Sequence, residues 1–414
     1  MTTTPPRERL PLTTKRAVST FGLSVLGLLA ANLLPFMLIT LEQSLGLGVT
    51  EAGAVMTGNL LATAIVCTAS TRLSEGRRRV LVGQIGLAAT AVFFAVAALN
   101  PSTPITVIAI ILGGAGAGGA LSASGAALAA LRNPNRMSAA SGLVNRGVVT
   151  VVLAVVPLLG ITTGSVFGIV AGAALALLLV ATWLPRAPVP TDPVAADPTG
   201  GVSAADRAEA SVPPSRAVTI AGTALLAMFA LWAISEDSIW ALAGTMGSDQ
   251  AGLTDAGLGF VLSASTAGGL LAGVALIFIG DKLGRAVPIA VLLVLGGALK
   301  LVAALTTDAT IYTIVLIGWN TVYLAVFLLF IATAAALDAN GRFSGPVIGV
   351  YLFGSAFSPI VGGWLAETFG YAGFGWTVAI TSWVLVVPMI LVGRLSTRVE
   401  RAEHALRRAA AHEA

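Results

Sequence analysis

Glu236 and Asp237 stand side by side inside an apolar stretch, in the run Ala230-Leu-Trp-Ala-Ile-Ser-Glu-Asp-Ser-Ile-Trp240. An acid at the centre of a membrane helix costs about 2.5–3.5 kcal/mol on insertion scales, so such a pair must face water, protein or a partner. The chemistry on offer is reversible protonation, which makes Glu236 or Asp237 the expected proton-coupling group. Trp232, Glu236 and Trp240 recur every four residues and share one helical face, with Ser235 alongside. Two indoles flanking a carboxylate can clasp an organic cation or an aromatic ring. The competing reading ends the helix early, leaving the acids at the membrane interface and Trp240 as a belt residue. Neighbouring helix positions diverge by about 100°, so one acid can line a cavity while the other pairs elsewhere.

Lys300, in Gly297-Ala-Leu-Lys-Leu-Val-Ala303, lies at a comparable depth and can neutralise Asp237. A structural ion pair, or a stem that snorkels to the headgroups, is favoured over solute contact. Arg146 follows Asn145 about two turns into another apolar stretch, with no acid nearby in sequence. Its guanidinium reaches across the molecule, receives an anionic ligand on its planar fork, or snorkels. Trp319 and Tyr323 share a face, with Asn320 adjacent. Arg146, Asn145, Trp232, Glu236, Trp240, Trp319, Asn320 and Tyr323 form the expected solute-binding set. Asn32, Asn59, Thr63, Tyr351 and Ser355 are further polar groups suited to a cavity, although each alone is more often helix-helix glue.

The elements that must position these groups are membrane helices. The chain has 414 residues, 10% of them charged, and a mean hydropathy of +0.92. Its apolar stretches number about twelve at the roughly 20-residue length that crosses a bilayer. Of the 23 Lys and Arg residues, all but Arg146 and Lys300 fall in alternate joints or at the ends. By the positive-inside rule those joints and both termini are cytoplasmic. The net charge of +4 is therefore topological and lipid-directed, and no nucleic-acid partner is expected. The apolar segment 17–41 is too long for a signal peptide and stays as the first span. Cys67 is the only cysteine, and His404 and His412 both lie in the tail, which excludes a disulfide framework and leaves no metal or cofactor site expected.

Residues 185–216 switch to Pro, Asp, Ala, Ser and Gly and read as a flexible cytoplasmic linker. It separates six-helix bundles at 1–184 and 217–395, with a cytoplasmic tail at 396–414. The halves repeat: Gly76-Arg77 answers Gly284-Arg285, Arg136-Met137-Ser138 answers Arg342-Phe343-Ser344, and Pro157 with Gly160 answers Pro359 with Gly362. The glycine patch 113–119 lacks a following Lys-Ser or Lys-Thr, so it serves close helix approach, not phosphate binding.

With Gly280-Asp281-Lys282-Leu283-Gly284-Arg285 in the second half, the chain resembles the major facilitator superfamily over nearly its whole length. That resemblance implies a gating loop at Asp281, Lys282, Gly284 and Arg285, and spans one, four, seven and ten around a central pathway. Three departures stand out. Leu73 replaces the usual Asp of the first-half loop, Ile110 stands where many members carry Arg, and Val156-Pro157-Leu158-Leu159-Gly160 is a weakened form of an antiporter pattern.

The expected protein is an all-α integral membrane protein of twelve helices in two six-helix bundles. Its expected function is secondary active, proton-coupled transport of a small organic solute, anionic or zwitterionic, with an apolar or aromatic body. Protons and membrane lipids are the other expected partners, the chain acting as a monomer in the plasma or inner membrane. A proton-antiport exporter of lipophilic cations is the alternative, and a non-transporting receptor or scaffold the second. Without a membrane histidine or a nucleophile-base pair, an enzyme is not expected.

Overall fold

A computed structural model describes residues 10–100, 102–185, 215–279, 284–337, 342–344 and 346–413. The first half holds α1 (Thr14–Asn32), α2 (Leu34–Leu45), α3 (Val49–Ala69), α4 (Thr71–Glu75), α5 (Arg79–Leu99), α6 (Thr103–Ala129), α7 (Pro134–Val155) and α8 (Thr163–Val180). The second holds α9 (Arg216–Asp249), α10 (Asp255–Ile279), α11 (Ala286–Leu305), α12 (Ala309–Leu337) and α13 (Val347–Glu413). Helices suit such a chain because each satisfies its own amides and carbonyls where no water reaches. Apolar side chains such as Leu179, Val384 and Val387 project outward, as a lipid-facing girdle does.

Among the described residues, 10 helices are long and apolar enough to cross a membrane, or up to 11 when the bent pair α1–α2 counts as one span. This differs from the expected twelve in an instructive way. The last candidate runs 56 residues, Val347–Ala402. At 1.5 Å per residue that is about 84 Å, far more than a hydrocarbon core of about 30 Å. The chain breaks it at Gly370, whose φ of 68° and ψ of 173° no ordinary helical residue adopts. The other bend lies at Leu33, where α1 and α2 meet at 49° just before Pro35. Most of the 185–216 linker, together with Asp281 and Lys282, lies outside the described residues.

Small residues let backbones touch. A Cβ on Gly114, Gly116 or Gly118 of α6 would lie 2.4 Å from the Asn59 carbonyl oxygen, 2.6 Å from the Thr90 amide, or 2.3 Å from the Thr63 carbonyl oxygen. Asn59 and Thr63 of α3 then bond the α6 carbonyls of Ile110 and Gly114 at 2.7 and 2.9 Å. They join helices and do not line the cavity, which is the helix-helix role such residues more often take.

The halves close on the side of the 43–50 joint. A Cβ on Gly53 would lie 2.3 Å from the Pro359 carbonyl oxygen, and one on Gly363 would lie 2.7 Å from that of Val49. Ile360 N donates to Thr57 Oγ1 at 3.2 Å, and Thr50 N donates to Glu367 at 3.1 Å, capping the start of α3 from the other half.

Candidate functional site

α9 carries the acid pair well inside its 34 residues, so the early-ending reading of this helix does not hold. Both acids are buried, and they point apart as the 100° step requires. Glu236 turns into the second half. Lys300 Nζ of α11 donates at 2.7 Å to Glu236 Oε1, to Ser235 Oγ and to Ser382 Oγ, so all three ammonium protons are used. Trp319 Nε1 donates to Glu236 Oε2 at 2.6 Å. Lys300 is completely buried, which excludes the snorkelling alternative. Its partner is Glu236 and not Asp237, a correction to the pairing suggested by depth alone.

Asp237 faces away from this cluster, into a cavity of about 80 Å³ between the halves. Ala31, Asn32, Leu34, Leu60 and Arg146 line it from the first half. Asp237, Trp240, Trp319, Asn320, Tyr323, Tyr351 and Ser355 line it from the second. Tyr351 Oη donates to Asp237 Oδ2 at 3.0 Å, and the Tyr323 and Tyr351 hydroxyls are hydrogen-bonded to each other. These contacts make a short polar chain leading from the carboxylate along the cavity wall.

Arg146 approaches from α7. Its Nη1 donates to Asn320 Oδ1 at 3.3 Å across the halves, and its Cζ sits 5.8 Å from the Tyr323 ring centroid. Among the described residues no carboxylate pairs with it. Most of its five donors are therefore left for water or a solute. Asn145 turns aside and accepts from Asn32 Nδ2 at 3.3 Å. Trp240 Nε1 donates to the Ala31 carbonyl at 3.3 Å, a further bond between halves.

The expected clasp of Trp232, Glu236 and Trp240 is not formed. Trp232 is buried behind Tyr323, rings stacked with centroids 5.3 Å apart and 11° between planes, while Glu236 is held by Lys300. Only Trp240 of the three reaches the cavity. Trp319, Asn320 and Tyr323 do line it together, as their spacing suggests. Helix α6, the fourth span, contributes no lining residue, whereas α3, α7 and α13 do. Leu60 and the α1 carbonyl went unnoticed in sequence because neither has a side chain that signals chemistry.

Of the loop motif, Gly284 adopts φ +63°, where glycine is favoured. Arg285 makes a two-pronged ion pair with Glu400, at 2.7 and 3.0 Å, within its own half. What arranges the site chemically is one guanidinium, held by Asn320 and Tyr323, and one carboxylate on facing walls, with indoles and phenols between them.

The family model described as Major Facilitator Superfamily matches residues 20–352. No curated protein matches the chain by sequence. Among solved structures, a peptide transporter POT shows 11% identity and a TM-score of 0.72, covering 93% of this chain and 97% of its own. A D-xylose-proton symporter shows 14% identity and a TM-score of 0.65, covering 90% and 95%. The human organic anion transporter MFSD10 (TETRAN) shows 15% identity and a TM-score of 0.61, covering 92% and 100%. At these identities the likeness is one of fold.

Proposed function

The chain belongs to the major facilitator superfamily and is a multi-pass membrane transporter of unassigned subfamily; on that premise we propose proton-coupled transport of a small organic solute. The solute carries an anionic group, is anionic or zwitterionic, and has an apolar or aromatic body. One observation carries this reading: Arg146 and Asp237 line the same cavity, while Glu236 is sequestered by Lys300. Arg146 draws the anion with donors that no carboxylate among the described residues occupies. Asp237 binds and releases the coupling proton, with Tyr351 and Tyr323 alongside. The indoles of Trp240 and Trp319 meet the apolar body.

The chain crosses the membrane twelve times, both termini cytoplasmic, with α1–α2 as one span and α13 as two spans joined at Gly370. The 43–50 joint is then external, and the structure is closed to the outside. Inter-half hydrogen bonds between described residues, such as those of Thr50, Thr57 and Thr150, lie at the cavity or on this side. The cavity opens inward when the cytoplasmic ends part, as expected of halves that rock about a central site. The protein acts as a monomer, surrounded by lipid.

Solutes are screened first by thermal stabilisation of purified protein, since a ligand of the native state raises its apparent stability. A stabilising solute is then offered to proteoliposomes under an imposed pH gradient. Stabilisation without gradient-dependent accumulation sinks the coupled-transport reading. Asp237 among four aromatic side chains also favours a second reading, proton-antiport export of a lipophilic cation. Arg146→Ala separates the two, because removal of a positive charge harms anion binding and favours cation binding.

A further inference from the structure

An unbroken helix would let the Ala31 carbonyl accept from the amide of residue 35. Residue 35 is proline, which has no amide hydrogen. That carbonyl instead accepts the Trp240 indole N–H, at 3.3 Å, from the other half of the molecule. Four residues further along each helix the contact repeats as close packing. A Cβ on Gly244 would lie 2.8 Å from the Pro35 carbonyl oxygen and 2.6 Å from Ile39 Cδ1. Trp240 and Gly244 thus share one face of α9, and this face seats on the bend between α1 and α2.

We propose that Trp240 is a positioning residue for the alternation between halves: its indole stands in for the amide Pro35 lacks and latches the externally closed state. When the external ends part, the indole leaves and the Ala31 carbonyl is without a donor. A carbonyl left without a donor is costly, so opening must bring water or a donor group of the solute to it. The inference rests on alternation of the halves and is independent of the solute's charge.

The test uses the full chain in nanodiscs, with Cys67→Ala and spin labels on Ser44→Cys and Ala256→Cys, read by double electron-electron resonance. Trp240→Phe should raise the population of the long external distance about 3- to 10-fold, the range one hydrogen bond supplies. Benzothienylalanine at position 240 keeps the indole's shape without its N–H and should act likewise. In a Pro35→Ala background, which restores the amide, Trp240→Phe should add little. An unchanged distribution with benzothienylalanine overturns the latch, as does an equal shift by Trp240→Phe with and without Pro35→Ala. Thr50→Val with Glu367→Gln serves as the control for motion. Movement there but not in the Trp240 variants sinks the latch alone, whereas no movement in any variant sinks alternation and the latch together.

Discussion

Glu236 and Asp237 are adjacent in the chain, yet Glu236 lies 2.7 Å from the Lys300 ammonium while Asp237 opens onto the cavity between the halves. One helical step therefore divides a balanced internal charge from one that faces the cavity.

From this division comes a difference between the two neutral substitutions. Asp237→Asn should abolish accumulation driven by a pH gradient while sparing solute exchange at equal pH, because the proton site is lost and the binding site is not. Glu236→Gln should leave gradient-driven accumulation measurable in protein that still folds. Accumulation retained in Asp237→Asn would remove this carboxyl from the coupling.

Lys300→Met should be severely destabilising, by about 3–5 kcal/mol, since it strands a buried carboxylate. Combining it with Glu236→Gln should recover most of the loss, because two neutral groups no longer demand compensation. Thermal unfolding of the single and double variants in detergent decides this. Equal melting of Lys300→Met and wild type would show that the pair contributes nothing to the fold.

Substrate affinity should fall when the Arg146 fork is altered. A charge-assisted contact contributes about 1.5–3 kcal/mol, so Arg146→Ala should weaken binding of an anionic solute about tenfold or more. Arg146→Lys should also weaken it despite keeping the charge, because an ammonium does not reproduce the fork. Unchanged affinity in well-folded Arg146→Ala favours the cation exporter instead.

Orientation is checked by cysteine labelling in a Cys67→Ala background. Exposed Ser44, in the 43–50 joint, should react as Ser44→Cys with an impermeant maleimide in intact cells. Exposed Glu75 should react as Glu75→Cys only after permeabilisation. Ser74 is unsuitable for this purpose, being fully buried and hydrogen-bonded to Ser122. Reaction of Glu75→Cys from outside would invert the topology.

The class of the fold was legible because apolar length and basic joints are linear properties of a chain. Part of the cavity lining was legible: Arg146, one member of the acid pair, and the Trp319–Tyr323 face stand out as polar or aromatic groups in apolar runs. Which acid faces the cavity was not. Helical geometry shows that two neighbours diverge, but the ammonium that claims Glu236 comes from α11, and its Ser382 anchor from α13. Whether Asn59 and Thr63 faced a cavity or joined helices was open for the same reason, since the carbonyls they bond belong to α6. Neither Gly370 nor Leu33 announces by residue type alone whether a bend separates two spans or merely angles one.

The glycine contacts at Gly53 and Gly363 bear on how well the resting protein insulates its membrane. There the two halves meet backbone against backbone, and backbone has no rotamers through which thermal motion can briefly open a wire of water. A larger residue at either position would hold the faces apart and replace that joint with a crevice. Under the proposed coupling insulation matters most, because a protonatable acid stands just beneath the seal and each ion leaking past Asp237 between turnovers would discharge the gradient that drives transport.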